Sequence, residues 1–281
     1  MKIGVTGASG QLGRIAISKL NDKVGAENVI GLVRSPQKVS DLGIEVREFD
    51  YNKPELLATA LQGIDKLFLI SGSEMGNRVK QHANVIEAAK SAGVGLIVYT
   101  SLLKTDSSTM GLADEHSETE KLLKASGIPY VILRNGWYIE NYTVSIPDII
   151  KQGALYGCSG DGKISAATRE DYAEAAATVL TTQGHENKIY ELAGDEAFTL
   201  AQFAAELSSR TGNKIAYVNI PENDYAQALV QAGLPEALAL MLADSQTATQ
   251  NGDLFDNQHQ MSKLIGRSTT PMAKVVADTL K

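Results

Sequence analysis

Short apolar runs alternate with longer amphipathic stretches over the first half of the chain. The runs "KIGVT" (2–6), "NVIGLV" (28–33), "IEVREF" (44–49), "DKLFLI" (65–70), "GLIVYT" (95–100) and "PYVILR" (129–134) are short, β-branched and apolar on both faces. Between them, apolar positions recur at helical spacing near 11–22, 54–62, 79–92 and 114–126, with a shorter segment near 36–41. Strands of this kind separated by helices predict a parallel sheet covered on both sides, the doubly wound Rossmann-type arrangement of an α/β protein. Pro54 near a helix start, and Gly63 and Gly93 just past helix ends, mark the same boundaries. After Arg134 the pattern breaks up. "NGWYIENY" (135–142) leads into predicted helices near 169–182, 199–210, 222–232, 235–245 and 271–280, with short strands near 189–193 and 215–219. The expected organisation is a core sheet domain over 1–134 and a smaller C-terminal α/β substrate lobe over 135–281. No Pro/Gly/Ser linker marks the join, so the boundary is soft and the lobe is expected to reach back to the sheet.

Composition narrows the partners. A net charge of -7 and the absence of any basic run oppose a nucleic-acid partner, which needs clustered Lys and Arg against phosphates. One cysteine, Cys158, cannot form an internal disulfide, and the four histidines lie too far apart for a zinc spacing, so no metal is expected. The longest apolar stretch, "ALALMLA" (237–243), is far short of the roughly 18 residues of a membrane span. The expectation is a cytoplasmic monomer or homodimer acting on a small molecule.

In "VTGASGQLG" the glycines Gly7, Gly10 and Gly13 fall at a strand-to-helix turn. Glycine at these points permits a tight turn, a close backbone approach to a diphosphate and close helix–sheet packing, while the helix N-terminus offers free amides. Thr6, Gly7, Ser9, Gly10, Gln11, Leu12 and Gly13 are therefore candidate dinucleotide contacts. The end of the second strand selects the coenzyme. "GLVRSPQK" places Arg34 there, where an acid would favour NAD, and an arginine suits the 2′-phosphate of NADP(H). Asp50, closing the third strand, is either an adenine contact or the cap of the helix begun by Pro54.

These residues, together with "FLISGSE", "QHANVIEAAKSAGV", "YTSLL", "GLADEHSETEKLL", "LRNGWYIENY" and "GDGKISAATREDYAEAAA", resemble the NmrA-like branch of the atypical short-chain dehydrogenases over essentially the whole chain. The resemblance implies an extended Rossmann sheet, bound NADP(H) and direct hydride transfer to a quinone without flavin. Related chemistry on triphenylmethane or other dyes, and a non-catalytic NADP(H)-sensing role, are the alternatives within that family.

Most short-chain dehydrogenases use a Tyr-x-x-x-Lys pair, but the corresponding helix here reads "HSETEKLL", with His116 and Glu120 four apart. A quinone accepts hydride readily, and its developing phenolate needs only one or two donors. Candidates lie beyond the carboxyl ends of the later strands. Ser71, Gly72 and Ser73 are expected to line the coenzyme. Asn135, Gly136, Trp137 and Tyr138 are expected to flank the nicotinamide and supply an aromatic wall. His116 and Tyr138 are the candidate catalytic donors, and Arg169 a candidate phosphate contact from the second lobe. Alternatively, His116 caps or bonds within its own helix start. "ATRED" reads as a cap, Thr168 with Asp171, for the helix at 169.

Overall fold

The computed structural model describes residues 1–281. The first half forms the predicted alternation: β1 (Ile3–Thr6), α1 (Gln11–Val24), β2 (Val29–Val33), β3 (Glu45–Glu48), α2 (Pro54–Ala60), β4 (Lys66–Leu69), α3 (Arg78–Ala92), β5 (Leu96–Leu102), α4 (Leu112–Ala125) and β6 (Tyr130–Asn135). β1, β2 and β5 are buried along their whole length, which is why they read as unbroken apolar runs.

The sheet does not end with β6. A strand from the second half, β8 (Lys188–Leu192), pairs in parallel with β6, in register from Val131 with Lys188 to Asn135 with Leu192. The order across the seven strands is β3-β2-β1-β4-β5-β6-β8, with every pair parallel. Helix α7 (Arg169–Thr181) returns with it and packs with α1 on one face of the sheet, burying Tyr172, Ala173, Ala176 and Leu180 beside Ile17 and Leu20. On the other face α2, α3 and α4 close over Leu57, Leu61, Val85, Ile86 and Leu123. The chain thus crosses position 134 and comes back.

The remaining elements build the second lobe: α5 (Glu140–Thr143), α6 (Ile146–Gln152), β7 (Ala154–Gly157), α8 (Leu200–Thr211), β9 (Ala216–Asn219), α9 (Glu222–Gln231), α10 (Glu236–Gln250) and α12 (Met272–Thr279). β7 and β9 make a two-stranded parallel ribbon. Its own core contains Ile139, Tyr142, Phe198, Phe203 and Val276. The short α11 (Gln260–Ile265) turns back onto α7 and β8. Thr168 caps α7, accepting from the Asp171 amide at 3.1 Å as its spacing predicts. No helix is long and apolar enough to cross a membrane.

Candidate functional site

Because β1 lies between β2 and β4, the connections after β1 and β4 leave the sheet in opposite senses, and a crevice opens at their carboxyl ends. There the structure holds a cavity of about 270 Å³. Gly7, Ser9, Gly10, Arg34, Ser71, Gly72 and Ser73, all singled out from sequence, border it, together with Asp50, Tyr51, Asn52, Glu74 and Gln81.

Glycine shapes its floor. Gly7 turns with φ +58°, and a Cβ on Gly13 would be driven into the Gly7 carbonyl oxygen and lie 2.9 Å from Ala8 Cα. Only without that atom does α1 start so close to the strand. Gly10 is the N-cap and supplies no side chain, and the first turn carries no acid. The amides of Gln11, Leu12 and Gly13 therefore stay unpaired within the helix, at its positive end. Leu12 itself is buried and anchors the helix. Thr6 has a structural role as well. Its hydroxyl accepts from the Ile70 amide (2.9 Å) and bonds Tyr51 Oη (2.6 Å), which also reaches the Ile70 carbonyl (2.9 Å). The Thr6 side chain thus ties β1 to the β4 loop.

Arg34 is exposed over 70% of its side chain, and its one ion pair is a long one, 3.4 Å to Glu74. Asp50 does not cap α2, whose N-cap is Lys53. Its carboxylate accepts from the Asn52 amide (3.0 Å) in a tight turn at the cavity wall.

The loop after β4 is fixed from behind. The Ser71 amide donates to Thr100 Oγ1 (2.9 Å), the Gly72 amide to His82 Nε2 (2.9 Å), and Arg78 Nε donates to the Gly72 carbonyl (2.7 Å). Both amides are thus committed, and Ser71 and Gly72 offer a ligand a shaped wall without backbone donors. His82 accepts at Nε2, so its proton sits on Nδ1, which donates to Thr119 Oγ1 (3.0 Å), and Thr119 in turn donates to the Glu115 carbonyl. Burial, with Arg78 nearby, lowers the His82 pKa to about 3 from 6.5. The folded state holds this ring neutral while the unfolded chain protonates it near 6.5. The associated stability is therefore complete above pH 6.5 and is lost as pH falls toward 3. From pH 7 to 5 the loss is expected to be about 2 kcal/mol for this residue. Urea midpoints at the two pH values measure it, and His82→Gln is expected to flatten the dependence.

His116, expected as a candidate donor, faces the interior. It is 4% exposed on α4, with Nδ1 2.7 Å from Tyr99 Oη. Burial, then Arg78 and His82, holds its pKa well below the ordinary value, so it does not titrate near neutrality. Glu120 also faces inward and forms a bidentate pair with Arg134 at 2.9 and 2.7 Å. Helix α4 therefore presents neither a solvent-facing histidine nor an unpaired cation. Lys121 pairs with Glu118 and Lys124 with Glu120.

After β6, Gly136 donates its amide to Leu192 (2.8 Å), and Trp137, expected as an aromatic wall, packs against the lobe core. Tyr138 is half-buried, and that burial raises its pKa, so the phenol stays protonated. The Arg169 guanidinium lies over its ring, 4.3 Å from the centroid. Arg169 is engaged by Glu140 (3.3 Å) and Asn141 (3.0 Å), and so held it buttresses Tyr138. Buried Asn135 reaches Tyr138 Oη only at 3.5 Å through Nδ2, and its Oδ1 has no partner. Tyr51, Asn52, Glu74 and Gln81 were not predicted as cavity residues. Of these, only Glu74, in "SGSE" after β4, carried a positional signal.

The strand order and the glycine turn at the crevice define an α/β protein of the Rossmann class. The chain belongs to the NmrA-like family, whose profile matches residues 1–274. It is 53% identical over 278 residues to quinone oxidoreductase 2 of Escherichia coli (strain K12), covering 98% of this chain and 97% of that protein. The crystal structure of the E. coli NADPH-dependent quinone oxidoreductase complexed with NADPH superposes with a TM-score of 0.97, at 52% identity over 99% of this chain and 100% of that one. Citrobacter sp. triphenylmethane reductase complexed with NADP(H) superposes with a TM-score of 0.94 at 38% identity, over 99% and 100%.

Proposed function

We propose that the protein is an NADPH-dependent reductase that passes hydride directly to a quinone without flavin. The observation that carries the coenzyme assignment is Arg34 bordering the same cavity as the uncapped Gly7–Gly10 turn. The turn provides backbone amides for a diphosphate, and Arg34 a guanidinium for a 2′-phosphate. After β6, the orphaned Oδ1 of Asn135 is a buried acceptor lacking a donor, which suits a carboxamide N–H.

When bound, the reduced nicotinamide supplies the hydride. The protein's part is positioning and charge. The wall of Ser71, Gly72 and Ser73 shapes the cleft, and the protonated Tyr138, backed by Arg169, donates a hydrogen bond toward the oxygen that gains charge as a quinone is reduced. No base is required for this, consistent with an α4 that turns His116 and Glu120 into the core. Whole-chain similarity to the E. coli quinone reductase supports the acceptor class, and similarity to triphenylmethane reductase supports dyes as further acceptors.

The test is consumption of NADPH by flavin-free protein. Absorbance of the reduced nicotinamide is expected to fall on adding benzoquinone and, more slowly, a triphenylmethane dye. Tight coenzyme binding with no turnover of either acceptor would contradict the reading.

A further inference from the structure

Arg34 is the one lysine or arginine among the residues bordering the cavity, and two acids, Asp50 and Glu74, border it as well. Glu74 is not a loosely hung surface carboxylate. Gln81, 3% exposed on α3, donates Nε2 to Glu74 Oε2 at 2.7 Å, and the same Nε2 also reaches Asn52 Oδ1 at 3.2 Å. Behind Glu74, the loop that carries it is held at Gly76, whose amide donates to Glu115 Oε1 (2.9 Å), itself paired with Arg78 (2.8 Å). One oxygen of Glu74 is thereby anchored by a buried amide while the other, Oε1, faces the Arg34 guanidinium at 3.4 Å.

We infer that Glu74 is a second determinant of coenzyme choice, opposing Arg34. This rests on the coenzyme reading above. A 2′-phosphate brings nearly two negative charges to a guanidinium already shared with a fixed carboxylate, whereas a 2′-hydroxyl brings none and can donate to that carboxylate. Glu74 therefore weakens binding of the phosphorylated coenzyme selectively and narrows the preference that Arg34 creates. The separation of the groups and their partial exposure make the effect moderate.

The experiment is calorimetric titration of NADP⁺ and NAD⁺ into wild type and Glu74→Gln, with no acceptor present. Glu74→Gln keeps an acceptor oxygen for Gln81 and removes the charge. It is expected to tighten NADP⁺ about tenfold at low ionic strength and to change NAD⁺ less than about twofold, with the difference shrinking as salt is added. An equal change for both nucleotides, no change, or weaker NADP⁺ binding overturns the inference. Thermal melting without nucleotide, expected unaltered in the variant, separates charge from folding. Wild type that binds neither nucleotide would instead remove the coenzyme reading itself.

Discussion

Replacing Arg134 by methionine is expected to cost the fold about 3–5 kcal/mol, read as a drop in the urea midpoint at constant slope. Arg134 is 4% exposed and Glu120 2%. Beyond its bidentate pair with Glu120, Arg134 donates to Glu191 at 2.9 Å and pairs with Asp106 at 2.8 Å. Burial alone would lower its pKa, but the hydrogen bonds to Glu120, Asp106 and Glu191 raise it, so the guanidinium stays charged. Ser101 donates to Glu120 at 2.7 Å, and the Lys104 amide to Glu191 at 2.8 Å. One side chain on β6 thus joins β5, α4 and β8. Removing it strands the Glu120 carboxylate in the interior, which costs more than the pair contributes. The double variant Arg134→Met with Glu120→Met is accordingly expected to recover most of the loss. Additive losses in the double variant would contradict a coupled network. Because Arg134 directly precedes Asn135–Tyr138, the single variant is also expected to loosen the segment proposed to flank the nicotinamide.

Gly13→Ala is expected to lower nucleotide affinity about 10–100-fold and stability by about 1–3 kcal/mol. The atoms in the way are the Gly7 carbonyl oxygen and Ala8 Cα, both backbone, so no flexible side chain can move aside. The turn must open, and the amides of the first helical turn move with it. Gly43→Ala, a solvent-facing left-handed turn with no atom within 4 Å, serves as the control. It is expected to lose some stability from backbone strain but to leave nucleotide affinity unchanged.

What was legible in the sequence follows from the range of the interactions. Local signals held well. The runs at 2–6 and 28–33 became β1 and β2 within a residue because burial on both faces makes their pattern unambiguous, and Thr168 capped α7 because a cap depends on three neighbouring residues. The run at 189–193 was recognised as a strand, yet its place beside β6 was not assigned. Its pairing with residues 131–135 is non-local, and as an edge strand exposed at Lys188 and Ile189 it resembles a lobe strand in pattern. The short α5, α6, β7 and α11 span seven residues or fewer and present too little periodicity to read. The burial of His116 was hidden for a related reason. It sits among Asp114, Glu115 and Glu118 and looks solvated, but its face of α4 is decided by Tyr99, seventeen residues away. The glycine cradle and Arg34 were visible because backbone geometry and strand-end position are sequence-local. The Glu74–Gln81–Asn52 cluster depends on three separate loops and helices meeting, and spacing cannot reveal that.

The central claim is that one cavity takes a dinucleotide diphosphate on the Gly7–Gly10 turn and a 2′-phosphate on Arg34. Phosphorus NMR of NADP⁺ titrated with the wild-type protein and with Arg34→Ala tests it most directly. The account expects both the diphosphate and the 2′-phosphate resonances to shift on binding to wild type, with the 2′-phosphate losing its proton at lower pH, and expects only the diphosphate to shift with Arg34→Ala. Identical 2′-phosphate behaviour in the two proteins, or diphosphate signals unmoved in either, would contradict it.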